Sequence, residues 1–277
     1  MRGALLLWLR LAACALAALP PVLAAATAAC AEDLSREEVS ALLAGAARAG
    51  RPADLGGRTL RGLDLSGLDF TGARLVGADL SDANLHAAKL QDADLSGAKL
   101  RRANLVVTWL IRANFTGADL SGANLQSLVT STGLETSTRE APIFTRANLS
   151  GARVQGRLGH ADLTGANLSG ARMGADMRNQ SMGLIRAELP FARLADADLR
   201  GADLGRAVLR FADLRGANLA GASLARADLT GANLAGADLS GADVAEATFT
   251  NARLADAKGL DDAKGLDSAK GLDRGAR

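Results

Sequence analysis

Residues 212–234 read ADLRGANLAGASLARADLTGANL, and they belong to a longer repeat that runs from Leu184 to Leu254. In most units a bulky apolar residue, usually Leu, follows Asp or Asn, and an alanine stands two positions before it. A period of five matches neither the α-helix, with about 3.6 residues per turn, nor the β-strand, with two. Self-similarity at a fixed short period indicates a repeat architecture.

The unit resembles the A-(D/N)-L-X-X consensus of the pentapeptide-repeat family, and the resemblance covers residues 51–277. It implies an all-β fold, a right-handed quadrilateral parallel β-helix in which one pentapeptide forms each side. The central and alanine side chains are expected to point inward and the other three outward. The resemblance implies no enzyme activity, because the family has no shared catalytic residues.

The charges of the outward residue that precedes each central residue test the coil size independently of the family. Equivalent residues of adjacent coils lie about 4.8 Å apart, and like charges placed opposite each other are destabilising. A twenty-residue coil stacks Asp198, Asn218 and Asp238, so that amides separate the carboxylates. A fifteen-residue coil would instead place Asp198 against Asp213. The sequence therefore predicts four units per coil and about ten coils.

Composition and charge limit the functional classes. Hydrophobic residues make up 48% of the chain but aromatic residues only 3%, so Leu and Ala must build the interior. Without Arg2 and Arg10, which lie in a predicted leader, the basic residues fall from 32 to 30 and equal the 30 acidic ones. A nucleic-acid partner is not expected, because surfaces that bind nucleic acids carry a basic excess.

Residues 1–31 have the features of an export signal: a basic residue, an apolar run and small residues near the end. Residues 29–31, Ala-Cys-Ala, offer a cleavage site, and cleavage there predicts a periplasmic or secreted protein without cysteines. Two alternatives stay open, in both of which the N-terminus attaches the protein to a membrane. One is lipidation at Cys14, and the other is retention of residues 11–31 as an anchor.

Residues 32–50 are predicted to form a short helix that caps the N-terminal end of the repeats. Ser35 and Glu38 have the spacing of a capping box, and Leu34 can pack against Val39. Gly50 is expected to end the helix. The open end of a solenoid exposes backbone and apolar side chains, and a capping element covers them.

The pentapeptide pattern runs without interruption from Leu55 to Leu125 and breaks over residues 126–142. Leu125 and Phe144 are nineteen positions apart, one short of a full coil, so the break is predicted to be one irregular coil with a bulging loop. Four outward positions below this loop carry apolar residues: Val106, Val107, Trp109 and Ile111. Either the loop covers them through Leu128 and Val129, or they form a patch that binds a partner.

The rest of the β-helix, predicted over residues 51–277, contains two further departures from the pattern. Phe144 and Leu184 are forty positions apart, which predicts two full coils despite local irregularity, with a second loop over residues 174–183. Over residues 256–273 the period changes to six, in repeats of DAKGLD. This segment is predicted to be a terminal cap or a frayed tail; as a cap, Leu260, Leu266 and Leu272 would cover the last coil.

One outward column breaks the avoidance of like charges. Three arginines follow one another there at a spacing of twenty, a fourth falls two coils below them, and two phenylalanines form a column on the next side. These residues form either a solvated face or an amphipathic strip that binds a protein partner or an anionic polymer of the cell envelope. The candidate partner surface comprises Arg146, Arg186, Arg206, Arg226, Phe191 and Phe211.

Nothing in the sequence predicts a catalytic, cofactor-binding or metal site. The only histidines, His86 and His160, fall in different coils, whereas a structural zinc site needs three or four N or S ligands. The leading hypothesis is a non-enzymatic, exported scaffold or interaction protein. The alternative is an inhibitor or protector of a type II topoisomerase that imitates DNA, as some members of the resembled family do. The neutral charge and the export signal disfavour this alternative.

Overall fold

Parallel β-bridges join residues twenty positions apart and wind the chain into a solenoid. The computed structural model describes residues 34–133, 136–175 and 185–272. In the first regular block Asp54 pairs with Arg74, and Arg74 pairs with Asp94. This spacing confirms the four-unit coil that the charges predict, and no two carboxylates are bridged to each other among the described residues. The predicted leader, residues 1–31, lies outside the described residues.

The coil has four sides, which we number by the central residues of the first coil. Leu55 belongs to the first side, Leu60 to the second, Leu65 to the third and Phe70 to the fourth, and all four side chains are fully buried. The alanines two positions before the central residues are buried as well. Burial of each Leu contributes about 1.5–3 kcal/mol, so the core is a stack of Leu and Ala layers shared between coils.

Asp and Asn precede the central residue because their side chains satisfy backbone groups at the turn. The Oδ1 atom of Asp94 accepts a hydrogen bond from the Ser96 N–H at 3.0 Å, which is the Asx-turn pattern. One coil later, the Asn114 amide donates to the same Oδ1 atom at 3.1 Å. Asn114 Oδ1 then accepts from the Thr116 N–H at 3.1 Å. Alternating carboxylates and amides therefore stabilise both the turns and the stacking.

The break after Leu125 is an insertion between the fourth and first sides. Asn114 pairs with Ile143, twenty-nine positions on, so this coil holds nine residues more than a regular one. The prediction of a nineteen-residue coil was wrong because Leu125 and Phe144 lie on different sides. Leu125 pairs with Val154, whereas the Phe144 ring stacks on a first-side ring, Phe115, with centroids 4.9 Å apart.

Two further register changes follow this insertion. Ile143 pairs with Asp162, nineteen positions on, and Asp162 pairs with Arg193, thirty-one positions on. The prediction that two coils separate Phe144 from Leu184 was therefore wrong, because these two coils contain fifty residues rather than forty. Leu184 and the second predicted loop, apart from residues 174 and 175, lie outside the described residues.

Three short strands lie where the register changes, and they run in parallel. β1 spans Asn124–Leu128, β2 spans Arg153–Arg157 and β3 spans Ala187–Glu188. They form one sheet in the order β1-β2-β3, with an irregularity between Gln126 and Leu128. The sheet carries the third and fourth sides across the irregular coils without a gap.

Helix α1 spans Arg36–Arg48 and packs against the first coil. The capping box predicted at Ser35 and Glu38 forms: Ser35 Oγ accepts from the Glu38 N–H, and the Glu38 carboxylate accepts from the Ser35 N–H. Val39 is fully buried in the core, and Arg36 donates to the backbone oxygens of Asp64 and Ser66. Among the described residues, no helix is long and apolar enough to cross a membrane.

The six-residue repeats lie against the last coil and contain a short 3-10 helix, Leu266–Ser268. Lys258, Lys264 and Lys270 pair with the preceding coil, and each is followed by a glycine where a regular unit has its central Leu. The extra residue of each repeat, Leu260, Leu266 or Leu272, packs against the core instead. The glycines bring the backbone inward so that the leucines cover the end of the stack.

Candidate interaction surface

Apart from Arg146, the residues of the two surfaces predicted from the sequence lie along the same side of the solenoid, the fourth. Trp109 pairs with Val129 on this side. Strands β1 to β3 continue the side across the insertion, and Arg157 pairs with Glu188 at its end. The outward column of the fourth side therefore passes through Lys89, Trp109, Val129, Glu188, Val208, Asp228 and Thr248.

A groove of about 510 Å³ lies on the fourth side, and we call it the arginine groove. Arg206 and Arg226 lie at the corner between the third and fourth sides. Arg186 directly precedes β3, and Arg210 follows the central residue Leu209 of the fourth side. Carboxylates and small side chains of the outward column form its floor. The lining residues are Arg186, Glu188, Arg206, Val208, Arg210, Arg226, Asp228 and Thr248.

Two of the four arginines are held by carboxylates. Arg210 Nε lies 2.5 Å from Asp228 Oδ2, and Arg226 donates to both oxygens of Glu246 at 2.7 and 3.0 Å. Hydrogen bonds from Arg226 lower the pKa of Glu246. Burial raises the pKa of Asp228, but hydrogen bonds from Thr230 and Arg210 outweigh it and leave the pKa below its usual value. Both carboxylates are therefore ionised at neutral pH.

The other two arginines are not matched in this way. Arg186 Nε is buried without a hydrogen-bond partner. Arg206 forms no ion pair with any residue in the described ranges. The lining carries four arginines against two carboxylates, Glu188 and Asp228, and a third carboxylate, Glu246, pairs with Arg226 beside it. The groove therefore has a net positive charge in a chain that is close to neutral.

Arg146 does not belong to this column, contrary to the sequence prediction. Its backbone N–H donates to Thr164 O, and the next residue of its own column, Gly165, donates to Ala195 O. Arg146 thus lies at the corner between the first and second sides. The error has the same cause as the coil count, because the nineteen- and thirty-one-residue coils shift the register between residues 146 and 186.

The opposite edge of the fourth side carries three stacked rings. The Phe191 ring stacks on Phe211, with centroids 5.2 Å apart and planes 10° apart, and on His160, with values of 5.0 Å and 6°. Phe191 and Phe211 are 50% and 53% exposed. Gly231 follows in the column, and a side chain there would overlap the Phe211 ring. We call His160, Phe191 and Phe211 the ring stack; both faces of Phe191 are covered by its neighbouring rings, and Gly231 lies against Phe211.

The apolar positions near the insertion divide into exposed and buried members. Val107 and Trp109 are 38% and 36% exposed, Val106 is half-buried, and Ile111 is only 3% exposed. Of the two alternatives predicted for these residues, burial of Ile111 fits coverage by the loop, whereas the exposure of Val107 and Trp109 fits a surface patch. Arg112, the neighbour of Ile111, donates its backbone N–H to Glu140 O at 2.9 Å, which places the returning end of the loop above Ile111.

The loop does not cover the other apolar residues through Leu128 and Val129. Leu128 is buried in the core, and Val129 continues the outward column next to Trp109. Within the loop, the Glu140 carboxylate accepts hydrogen bonds from the hydroxyls of Ser131 and Thr132 at 2.8 and 2.7 Å. The loop therefore closes on itself and leaves Val107 and Trp109 on the surface.

Backbone strain is concentrated at the two edges of the fourth side. The corner position of each unit has positive φ, a region that costs an L-residue other than Gly about 1–2 kcal/mol. Of the seventeen non-glycine residues with positive φ in the described ranges, five lie elsewhere: Asp82, Arg102, Arg146, Asp196 and Asp256. The twelve at the edges of the fourth side are Ala87, Asp92, Val107, Arg112, Ser127, His160, Phe191, Arg206, Phe211, Arg226, Glu246 and Asn251.

Several members of this surface could not be identified from the sequence, among them Glu188, Val208 and Thr248 of the groove. His160, Arg210 and Asp228 were not singled out, although His160 follows Leu158 by two positions, as Phe191 follows Leu189. That offset would have placed His160 in the ring stack once the irregular coils were aligned. The described residues contain no group of three or more His, Cys, Asp or Glu side chains that could hold a metal ion.

Comparison with known proteins gives a family and a set of similar folds. One similar solved structure is HetL, a pentapeptide repeat protein involved in heterocyst differentiation regulation from Nostoc sp. strain PCC 7120. The two sequences are 32% identical, and the alignment covers 85% of this chain and 96% of HetL, with a TM-score of 0.38. A trypsin-treated form of QnrB1, a plasmid-mediated fluoroquinolone resistance protein, is 19% identical over 76% of this chain and 88% of its own, with a TM-score of 0.43. No curated protein sequence matches.

The family model for pentapeptide repeats matches eight copies in this chain. The matched residues are 53–86, 88–126, 143–179, 192–231 and 227–258. The four-sided parallel winding described above is the right-handed β-helix that this match implies. Since the match covers more than half of its residues, the chain belongs to the pentapeptide-repeat family.

Proposed function

We propose that the protein is a non-enzymatic scaffold that binds a partner protein through its fourth side. One observation carries the proposal: the exposed valine and tryptophan, the arginine groove and the ring stack, which are far apart in sequence, line the same side. Contiguous apolar surface that is exposed is typical of interaction sites. The strained corners along both edges support the same reading, because strain that the surrounding structure maintains often accompanies function.

The family supports a binding role rather than catalysis, since pentapeptide-repeat proteins are generally structural or interaction scaffolds. A protector of topoisomerases that imitates DNA would need a surface of carboxylates in place of phosphates. The arginine groove has the opposite sign, with four arginines against three carboxylates when Glu246, the partner of Arg226, is included. The arginine groove therefore favours an interaction scaffold over imitation of DNA.

We also propose that residues 1–31 direct export, so that the partner is met in the periplasm or outside the cell. Their apolar composition and the Ala-Cys-Ala sequence at residues 29–31 support this. Sequencing the N-terminus of the protein from fractionated cells tests it. An N-terminus at Glu32 supports export with cleavage, whereas an intact or lipidated N-terminus favours attachment to a membrane.

Two features of the architecture complete the proposal. We assign α1 as the cap of the first coil, because Val39 is fully buried and Arg36 donates to two backbone oxygens of the third side. We assign ten coils to the solenoid, because the first-side column contains ten residues from Asp54 to Arg253. Both ends are then covered, which favours partner binding along a side rather than at an end.

Photo-crosslinking from two positions tests the role of the fourth side. A photoreactive phenylalanine analogue replaces Phe211, and in a control variant it replaces Val76, which is 40% exposed on the first side. We expect crosslinks in intact cells to one identified protein from position 211 and none to that protein from position 76. Equal crosslinking from both positions, or none from position 211, would contradict the proposal.

A further inference from the structure

The chemistry of the fourth side points to the kind of segment it binds, an inference that rests on the proposed function. We propose that the arginine groove binds carboxylates of an extended acidic segment of the partner protein. The acidic side chains face Arg186 and Arg206, and the intervening apolar side chains face the ring stack. Val208, between these edges, forms the floor.

The available hydrogen-bond donors of the groove are those of two arginines on adjacent coils. Arg210 and Arg226 are already held by Asp228 and Glu246. Arg186 Nε has no hydrogen-bond partner but is buried, so a ligand cannot reach that atom, whereas Arg206 lines the groove and forms no ion pair within the described ranges. A guanidinium presents five donors in a planar fork that matches the two oxygens of a carboxylate. A carboxylate ligand in the groove would therefore meet the guanidinium of Arg206, which forms no ion pair within the described ranges.

The ring stack decides between a peptide and the other anionic polymers. In proteins that bind single-stranded nucleic acids, the bases stack on the faces of aromatic rings. Sugars also pack on ring faces. Both faces of Phe191 are occupied by neighbouring rings, and Phe211 is covered by Phe191 on one side and Gly231 on the other. The exposed ring edges suit aliphatic side chains, which need no face.

The spacing of the coils is compatible with an extended peptide. Side chains on one face of an extended chain recur about every 7 Å. Equivalent residues of the solenoid recur about every 4.8 Å, so two coils span about 10 Å. The distance between successive acidic side chains thus lies between one and two coil spacings. The side chains of Arg186 and Arg206 are long and flexible enough to accommodate this difference.

Calorimetric titration of the whole protein with defined probes tests the inference. The probe is a short synthetic peptide with Glu at alternate positions and Val or Ser between them; its control has Gln in place of every Glu. We expect binding of the Glu peptide and none of the Gln peptide. Binding should weaken as the ionic strength approaches about 1 M, where the Debye length falls to about 3 Å.

Two matched arginine variants locate the site. Arg206→Ala should weaken peptide binding about tenfold, as expected for the loss of one charge-assisted hydrogen-bond pair. Arg146→Ala should leave it unchanged, because Arg146 has the same corner geometry on a different edge. Arg206→Lys, which keeps the charge but not the fork, should fall between the wild type and Arg206→Ala. Equal effects of Arg206→Ala and Arg146→Ala would overturn the inference.

Other occupants give distinguishable results. Binding of polygalacturonate or a single-stranded oligonucleotide that depends on Arg206, without binding of the Glu peptide, would overturn the assignment to an acidic peptide. Crosslinking of one protein from position 211, combined with no effect of Arg206→Ala on its capture, would overturn the inference but leave the proposed function standing. Absence of crosslinking from position 211 would overturn the proposed function itself.

Discussion

Replacement of Gly265 by alanine should open the C-terminal end of the solenoid. Gly265 has φ of 73°, and a left-handed conformation costs an alanine about 1–2 kcal/mol. A Cβ atom at this position would also lie 2.6 Å from both Cα and Cβ of Ala245 in the preceding coil. Overpacking of this kind costs typically about 1–3 kcal/mol. Together these terms give a local destabilisation of about 2–5 kcal/mol.

Gly236→Ala provides a matched control. Gly236 has a similar φ of 70°, but nothing lies within 4 Å of the position that a Cβ would take. This variant should therefore lose only the dihedral term, about 1–2 kcal/mol. The difference between the two variants measures how closely the terminal repeats pack on the coil beneath them.

Hydrogen exchange is the appropriate measurement, because coils of a solenoid interact mainly with their neighbours and lose stability locally. In the wild type the amides of Lys264 and Lys270 donate to Ala242 O and Ala247 O at 2.7 and 2.8 Å. Gly265→Ala should accelerate their exchange far more than that of the central coils, and Gly236→Ala should not. Equal exchange at Lys264 in the two variants would refute the reasoning and mean that the terminal repeats do not pack against Ala245.

Three further predictions concern charge and stacking. Hydrogen bonds from Arg200 and Arg215 lower the pKa values of Asp198 and Asp213 in the folded protein. In acid the unfolded chain therefore binds more protons than the folded one. The free energy of unfolding in urea should be constant above about pH 5 and should fall below about pH 4. Equal stability at both extremes would contradict this. Asn84→Asp should destabilise the protein at neutral pH, because it replaces an amide that donates to Asp64 at 2.9 Å with a second carboxylate. The deficit relative to the wild type should shrink in acid, where the carboxylates become protonated. Phe211→Ala should lower the free energy of unfolding by about 0.5–1.5 kcal/mol in the same assay, the contribution of one aromatic stacking contact. A decrease of more than about 3 kcal/mol, which is typical of a core Phe, would mean that the ring is not on the surface.

Where the repeat is uninterrupted, the family resemblance implied the β-helix and the charges predicted the length of its coil. A five-residue period has one compatible four-sided stacking once Asp198 is required to avoid Asp213, and the bridge from Asp198 to Asn218 confirms it. The capping box at Ser35 was equally accessible, because it depends on local spacing alone. These features are set by interactions between close neighbours in sequence or by a strict repeat.

The irregular coils could not be predicted in the same way, because an insertion changes the register without changing the local pattern. Phe144 and Leu184 happen to be forty positions apart, a multiple of the coil length that is unrelated to their stacking. Arg146 was assigned to the wrong corner for this reason. The shared side of Trp109 and Arg206 was also hidden, since it depends on the added residues of two coils.

The position of Trp109 gives the protein a built-in optical reporter. The chain has no Tyr and two Trp, of which Trp8 lies within residues 1–31. In a chain that begins at Glu32, all indole emission therefore comes from a single half-exposed side chain on the fourth side. A ligand that spreads along this side as far as the insertion would change the emission maximum or its quenching by iodide, whereas one confined to the far coils would not.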